Sequence, residues 1–476
     1  MLKINQKELH DKIYACWLGK NIGGTLGYPF EGQRNINDCT GFLSKPGVPL
    51  PNDDLDLQLI WLKAVREVGP FSLNSDILGA YWLEYTTPFW NEYGIGKSNM
   101  QNGIPPALSG AFKNNWKHSN GAWIRTEIWA TLFPADTEMA VKYAFEDACV
   151  DHGVGDGTYA AIFVAAMESA AFIETDLREL IKIGLSNIPE NCRFAKFINA
   201  VTDCYDSGMS WLETRNKITD MALEDPELGW FQAPTNVGYA VIGLLYGEGD
   251  FKKSMIISLN CGDDTDCSCA TVGSILGIMH GTKIIPSDWQ EYIGDTIVTK
   301  CVNIPSVDHD KSRYVLPKTC TDFKNLIIDT LPVTLATRPI EVTDGETERD
   351  ENVIKMFYGD KLGLSDKPEY FYIKDFTFAK ISVEYDSEPV ISPLESKKIK
   401  IAITNKFAAQ RVYNCRWILP DGWNVSGNNS IFTTNYKNAE FTVTAGENVS
   451  AKNTLILEIT CDGSHAAMYV PVIFMG

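Results

Sequence analysis

The hydrophobic rhythm of this chain changes once. From about residue 7 to about residue 330, apolar side chains recur near a 3.6-residue period, as in amphipathic helices. Leu9, Ile13, Cys16, Trp17 and Ile22 keep that period, as do Leu57, Ile60, Trp61, Ala64 and Val65. Two runs rich in small residues, 160–171 and 270–281, predict closely packed central helices. Tyr93-Gly94-Ile95-Gly96 and Gly103-Ile104-Pro105-Pro106 read as loops. After about residue 375 the period falls to two. Lys397 to Ile403 alternates cleanly, and similar runs lie at 441–444, 455–459 and 468–474. Pro420-Asp421-Gly422, Ser426-Gly427-Asn428-Asn429 and Cys461-Asp462-Gly463 supply turns between them. About seven short strands in this stretch predict an immunoglobulin-like β-sandwich. The charged stretch 341–352 reads as a linker or exposed loop. The expected fold is multidomain, α plus β. It has an all-α domain over residues 1–335, a connecting segment over 336–374 and the β-sandwich over 375–476.

Composition narrows the partners. At 476 residues, with 45% apolar and 11% aromatic side chains, the chain can bury two cores. A net charge of −19 argues against nucleic acid and against anionic membrane, both of which need a broad basic face. A small phosphate-bearing ligand stays open, because it needs only local donors. The twelve cysteines form no paired spacing, and Cys267-Ser268-Cys269 is too tight for a zinc knuckle. They read as free, buried thiols in a reducing compartment. No apolar run reaches the ~18 residues of a membrane span. The N-terminus shows no apolar signal core. A cytoplasmic location is the expectation.

The chemistry concentrates in two short acidic clusters, Asn52-Asp53-Asp54-Leu55-Asp56 and Gly262-Asp263-Asp264-Thr265-Asp266, each leading into an apolar helical run. One acid per cluster is explained by helix capping. Three per cluster exceed it, because carboxylates this close repel one another unless a cation neutralises them. Mg²⁺ or Mn²⁺ suits such oxygen donors. Zinc would want His or thiolate, and the six histidines are not clustered. Upstream, Gly23 to Gly32 ends a helix in a Gly-rich turn that presents Glu31. Its spacing fits neither a P-loop nor a dinucleotide fingerprint.

In this order the motifs resemble the ADP-ribosylglycohydrolase family. Cys16-Trp17-Leu18-Gly19 and Ile22-Gly23 through Glu31 are similar to its opening helix, and residues 52–56 to its T-D-D-T motif. Leu259 to Asp266 is similar to N-x-G-G-D-T-D-T, and Asn120-Gly121-Ala122-Trp123-Ile124-Arg125 to its N-G-A-x-M-R loop. Asp151-His152-Gly153 falls where the family carries a cleft histidine. The resemblance covers roughly residues 8–330. It implies an all-α domain with one or two Mg²⁺ held by Asn52, Asp53, Asp54, Asp264, Asp266 and Cys267. Catalysis would fall to Glu31 as base, with Asp54 or Asp266 second. Asn120, Gly121, Arg125 and His152 would contact substrate. A salt bridge from Arg125 to Glu127 or another acid is the alternative for that residue, and a satisfied helix-terminal role is the alternative for His152. The implied reaction is hydrolysis of an ADP-ribosyl or related ribosyl glycosidic bond by metal-activated water. Five departures stand out: Asn52 and Cys267 replace threonines, Asp263 replaces a glycine, Leu55-Asp56 replaces Thr-Gln, and Gly24 replaces an aspartate. They keep a second reading open, an altered relative that hydrolyses another glycoside or only binds its ligand.

Overall fold

The computed structural model describes residues 1–304, 314–407 and 409–476. The chain divides into two compact units. The first comprises Met1–Gly94, Asn115–Ala148 and Gly155–Asp366; the second comprises Ile95–Asn114, Cys149–Val154 and Lys367–Gly476.

The first unit is helical. The helices that matter for the site are α1 (Gln6–Gly27), α2 (Asp53–Val68), α3 (Thr137–Ala148), α4 (Asp156–Ala170), α5 (Ala233–Gly247), α6 (Phe251–Asn260) and α7 (Thr265–His280). Asn5 caps α1 by accepting from the Glu8 N–H, and Asn52 caps α2 by accepting from the Asp54 N–H. The closest approach in the unit is between α1 and α7. Gly19, Gly23 and Gly27 form one stripe along α1, and the facing stripe on α7 is Thr265, Cys269, Gly273 and Gly277. A Cβ on Gly19 would lie 2.2 Å from the Gly273 carbonyl oxygen. One on Gly23 would lie 2.3 Å from that of Cys269, and one on Gly27 2.2 Å from that of Thr265. The two helices therefore touch main chain to main chain, which brings the end of α1 against the start of α7. The small-residue runs of α4 and α7 are buried, as their composition predicts. A two-stranded parallel sheet, β1 (Leu2–Asn5) with β2 (Ile340–Thr343), closes this unit at its chain start.

The second unit is built on antiparallel sheets: β3 (Phe371–Asp375), β4 (Ala379–Tyr385), β5 (Ser396–Asn405), β6 (Arg411–Ile418), β7 (Asn424–Gly427), β8 (Ser430–Thr433), β9 (Tyr436–Thr444), β10 (Lys452–Cys461) and β11 (Ala467–Met475). One sheet has the order β3-β4-β5-β9-β7 and the other β11-β10-β6-β8. The period-two pattern sets the register: Ile401 pairs with Val383 on one side and Ala439 on the other, and all three are buried. Inward side chains of both sheets share one apolar core with Ile104, Leu108 and Phe112. Among the described residues the strands of this unit number nine rather than about seven. The two short ones, β7 and β8, flank the turn at 428–429 and join different sheets.

One loop expectation is corrected. Residues 93–96 lie inside a helix, Asn91–Gln101. Gly94 is there for close approach, since a Cβ would stand 2.1 Å from the Phe89 carbonyl oxygen. Among the described residues no disulfide joins any of the cysteines. No helix among the described residues is long and apolar enough to cross a membrane.

Candidate active site

The starts of α2 and α7 meet at the floor of a cleft of about 290 Å³ in the first unit. Asp53, Asp264, Asp266 and Cys267 line it, with Glu31 on its wall. Asp54 lies just beneath, fully buried. The turn that carries Glu31 is fastened to the second cluster by a two-way backbone bridge: Asp263 N–H donates to the Gln33 carbonyl at 2.7 Å, and Gly32 N–H to the Asp263 carbonyl at 2.8 Å. Gly262 permits this at φ +88°, where a Cβ would strike the Asn35 carbonyl at 2.3 Å.

Each acid has a distinct set of neighbours. Asp53 Oδ2 receives the Tyr93 hydroxyl at 3.4 Å. Asp54 Oδ1 receives the Cys267 thiol at 3.2 Å. Asp264 Oδ2 receives Asn120 Nδ2 at 2.6 Å, and Asn120 Oδ1 in turn accepts from Trp123 Nε1 at 2.9 Å. Asp56 and Asp263 face other tasks. Asp56 Oδ2 accepts the backbone N–H groups of Lys300 at 2.5 Å and Cys301 at 2.7 Å. Asp263, at φ +64°, accepts from Asn236 Nδ2 at 3.3 Å and sits 3.8 Å from Arg34 Nε.

Burial, together with crowding among these carboxylates, raises their affinity for protons. Asp266 beside Glu31, then burial, raises the Glu31 carboxyl to about 8. Burial, then Asp266, raises Asp53 to about 6. Burial raises Asp56 to about 7. Burial also pushes Asp54, Asp264 and Asp266 up, and Lys20 partly offsets this at Asp54. The Cys267 thiol is raised well above its usual range by burial and by the surrounding acids.

A polar network braces the floor from below. Lys20 Nζ, fully buried, reaches Glu127 Oε1 at 2.7 Å and the Ile124 carbonyl at 2.7 Å. Gln58 Nε2 donates to Glu127 Oε2 and to the Asp54 carbonyl, each at 2.8 Å. Gln58 Oε1 accepts from Ile128 N–H at 2.7 Å. The loop at 120–128 is thereby tied to both α1 and α2.

The donor set suits a divalent cation. Asp264, Asp266 and Cys267 each offer a ligand atom within 4.8 Å of the others. Asp54 Oδ2, Asp264 Oδ1 and Asp266 Oδ1 are buried carboxylate oxygens with no hydrogen-bond donor, a costly state that a cation relieves. Asn52 is less available, because its Oδ1 already caps α2 at 2.8 Å from the Asp54 nitrogen. Its side chain fills the space next to Gly24, where a Cβ would stand 1.6 Å from Asn52 Nδ2. The two departures at 24 and 52 are thus one steric exchange.

The remaining expected residues separate. Gly121 lines the cleft, and a Cβ there would collide with Glu92 Oε1 at 2.3 Å. Arg125 is fully buried: Nε meets Asp147 Oδ1 at 2.9 Å, and a terminal nitrogen donates to the Gly121 carbonyl at 2.5 Å. Its acid partner is Asp147, while Glu127 belongs to Lys20. His152 belongs to the second unit, where it is buried with Nδ1 2.8 Å from Asp151 Oδ1. Sequence reasoning did not single out Lys300, Tyr28, Phe231 or Glu92, which also line the cleft. No local pattern marks them. Trp90 and Tyr93 line it too.

Residues 5–309 match the family model of the ADP-ribosylglycohydrolases. An uncharacterised protein of Archaeoglobus fulgidus is 23% identical over 310 residues, covering 60% of this chain and 93% of that one. Among solved structures, an ADP-ribosylglycohydrolase-related protein complex aligns over 69% of this chain and 99% of its own, with a TM-score of 0.47 and 17% identity. A FixG-related protein from Vibrio parahaemolyticus aligns over 21% of this chain and 97% of its own, with a TM-score of 0.19 and 17% identity.

Proposed function

The chain belongs to the ADP-ribosylglycohydrolase family, and from that membership we propose that it hydrolyses an ADP-ribosyl or related ribosyl glycosidic bond with Mg²⁺ at the cleft floor. Mn²⁺ is the nearest substitute. The observation that supports this best is the meeting of Asp53, Asp54, Asp264 and Asp266, from two helix starts, with Glu31 on the adjoining wall. These four aspartates are the ligands we assign, for one or two ions, with Asn52 and Cys267 at the margin. A bound divalent cation orients ribose hydroxyls and makes a water more acidic.

The chain's own residues supply the rest. Glu31, the carboxylate on the cleft wall beside the floor acids, is the proton acceptor we assign. Its oxygen takes the proton of the attacking water while an oxocarbenium-like ribose develops. Asp54 and Asp266 are the next candidates. Asn120 orients Asp264 through its 2.6 Å bond and presents the neighbouring Gly121 to the ligand. Arg125 acts through that loop by holding the Gly121 carbonyl. Lys300 at the cleft and the rings of Tyr28, Trp90 and Phe231 suit an anionic, aromatic ligand. We read the second unit as an immunoglobulin-like packing module.

The test is a substrate panel of ADP-ribosylated arginine, ADP-ribosylated serine, O-acetyl-ADP-ribose and simple N-ribosides, with and without Mg²⁺. Mg²⁺-dependent release of ADP-ribose, abolished by Asp264→Ala, is expected. Cys267, a sulfur beside an oxygen-rich site, favours a second reading as an altered family member. Turnover of N-ribosides alone, or ADP-ribose binding without turnover of any substrate, would establish that reading instead.

A further inference from the structure

We propose that the two halves of this site select different cations. On this view Cys267 is a metal ligand that turns the α7 half into a position for a thiophilic divalent ion such as Zn²⁺ or Co²⁺. The inference rests on the reading that the acidic floor holds cations. Three observations carry it. Cys267 lies in the first turn of α7, 6% exposed, with its Sγ in a group of mutually close donors that includes Asp264 and Asp266. The same Sγ is 3.2 Å from Asp54 Oδ1. Asp54, Asp264 and Asp266, all buried, each have a carboxylate oxygen that meets no hydrogen-bond donor. Asp264, Asp266 and Cys267 form one sulfur-bearing set of three donors, with Asp54 against the sulfur, a mixture that suits a borderline ion.

The α2 half differs in kind. Asp53, which receives the Tyr93 hydroxyl, offers oxygen alone, and Glu31 on the adjoining wall is left as proton acceptor. Oxygen-only donors suit Mg²⁺, which keeps several of its waters and has little affinity for sulfur. A hydroxyl at position 267 would leave both halves oxygen-only. The thiol breaks that equivalence, and its proton passes to solvent when the ion binds.

The experiment uses the full chain with Co²⁺, Cd²⁺ and Mg²⁺ as probes, in wild type, Cys267→Ser and Cys267→Thr. One equivalent of Co²⁺ should give a sulfur-to-cobalt charge-transfer band in wild type. Both variants should lose the band while still binding Mg²⁺, which also shows that they fold. By calorimetry, the preference for Cd²⁺ over Mg²⁺ should fall by at least about tenfold in each variant. A band that persists unchanged in both variants would come from another of the twelve thiols and overturn the proposal. So would Mg²⁺ binding with no band in wild type. Neither result touches the hydrolase reading, which fails separately if cations bind and no ribosyl substrate turns over.

Discussion

The two acidic clusters are near-copies in sequence, yet the structure divides their labour differently. In each, two aspartates belong to the floor and one serves the scaffold. In the first cluster the scaffold acid follows the site pair: Asp56 holds the main chain at Lys300 and Cys301. In the second it precedes the pair: Asp263 sits at the turn, against Asn236 and Arg34. Asp56 and Asp263 each keep a buried oxygen that meets no hydrogen-bond donor, as Asp54, Asp264 and Asp266 do. What separates the two kinds is place: Asp53, Asp264 and Asp266 line the cleft, and Asp56 and Asp263 do not. The lesson is that a run of acids is sorted by where the fold turns each carboxylate, and adjacency in the chain does not sort it.

Four experiments would break or sharpen that division. The largest effect is expected at the floor acids. Asp54→Ala or Asp264→Ala should lower divalent-cation affinity by at least about 100-fold, measured by calorimetric titration, with loss of hydrolysis. If Asp56→Ala did the same, the division would fail. Asp56→Ala should instead leave cation affinity intact and strand two backbone N–H groups. That should cost about 1–3 kcal/mol in denaturant unfolding and weaken catalysis through displacement of Lys300, with Asp56→Asn milder.

The third experiment is pH-dependence. Glu31, Asp53 and Asp56 have folded values of about 8, 6 and 7, all raised above the ordinary carboxylate range. Raised carboxylates bind more protons folded than unfolded, so the cation-free protein should lose stability as pH rises from about 4 through 8. Saturating Mg²⁺ should flatten this fall, and its binding should release protons, visible as a calorimetric enthalpy that varies with buffer. Glu31→Gln should remove the upper part of the window, which thermal melts across pH would show. The smallest effect is expected for Asp263→Gly. Relief of the left-handed backbone, about 1 kcal/mol, offsets the lost Asn236 and Arg34 contacts. Stability should stay within about 1 kcal/mol, with cation affinity unchanged.

Much of this was legible beforehand. The switch from helical to alternating periodicity separates a helical region from antiparallel sheets, and both acidic clusters do open helices. Glu31 and Asn120 lie with them, as the motif order implies. Other features were hidden for identifiable reasons. Asp56 belongs to the first acidic cluster, and nothing nearby in the chain shows that its partners are N–H groups of a loop distant in sequence. For Arg125 the sequence left substrate contact and a salt bridge to an acid both open, and it did not point to Asp147, on α3, as the acid that reaches it. Lys300 and Phe231 reach the cleft from connections whose placement depends on tertiary packing. Glycines 94 and 96 read as loop punctuation, although a helix can use them for tight packing.

The glycine stripe between α1 and α7 has a consequence for how far this architecture can be altered. The gap between the helix that leads to Glu31 and the helix that starts at Thr265 is gauged by main-chain atoms at Gly19, Gly23 and Gly27. Repacking elsewhere in the helical unit has no rotamer at this seam through which to change the gauge. A single methyl group at Gly23 or Gly273 acts as a shim of fixed thickness. Graded shims there would make the distance between proton acceptor and floor an adjustable variable, with every chemical group at the site left in place.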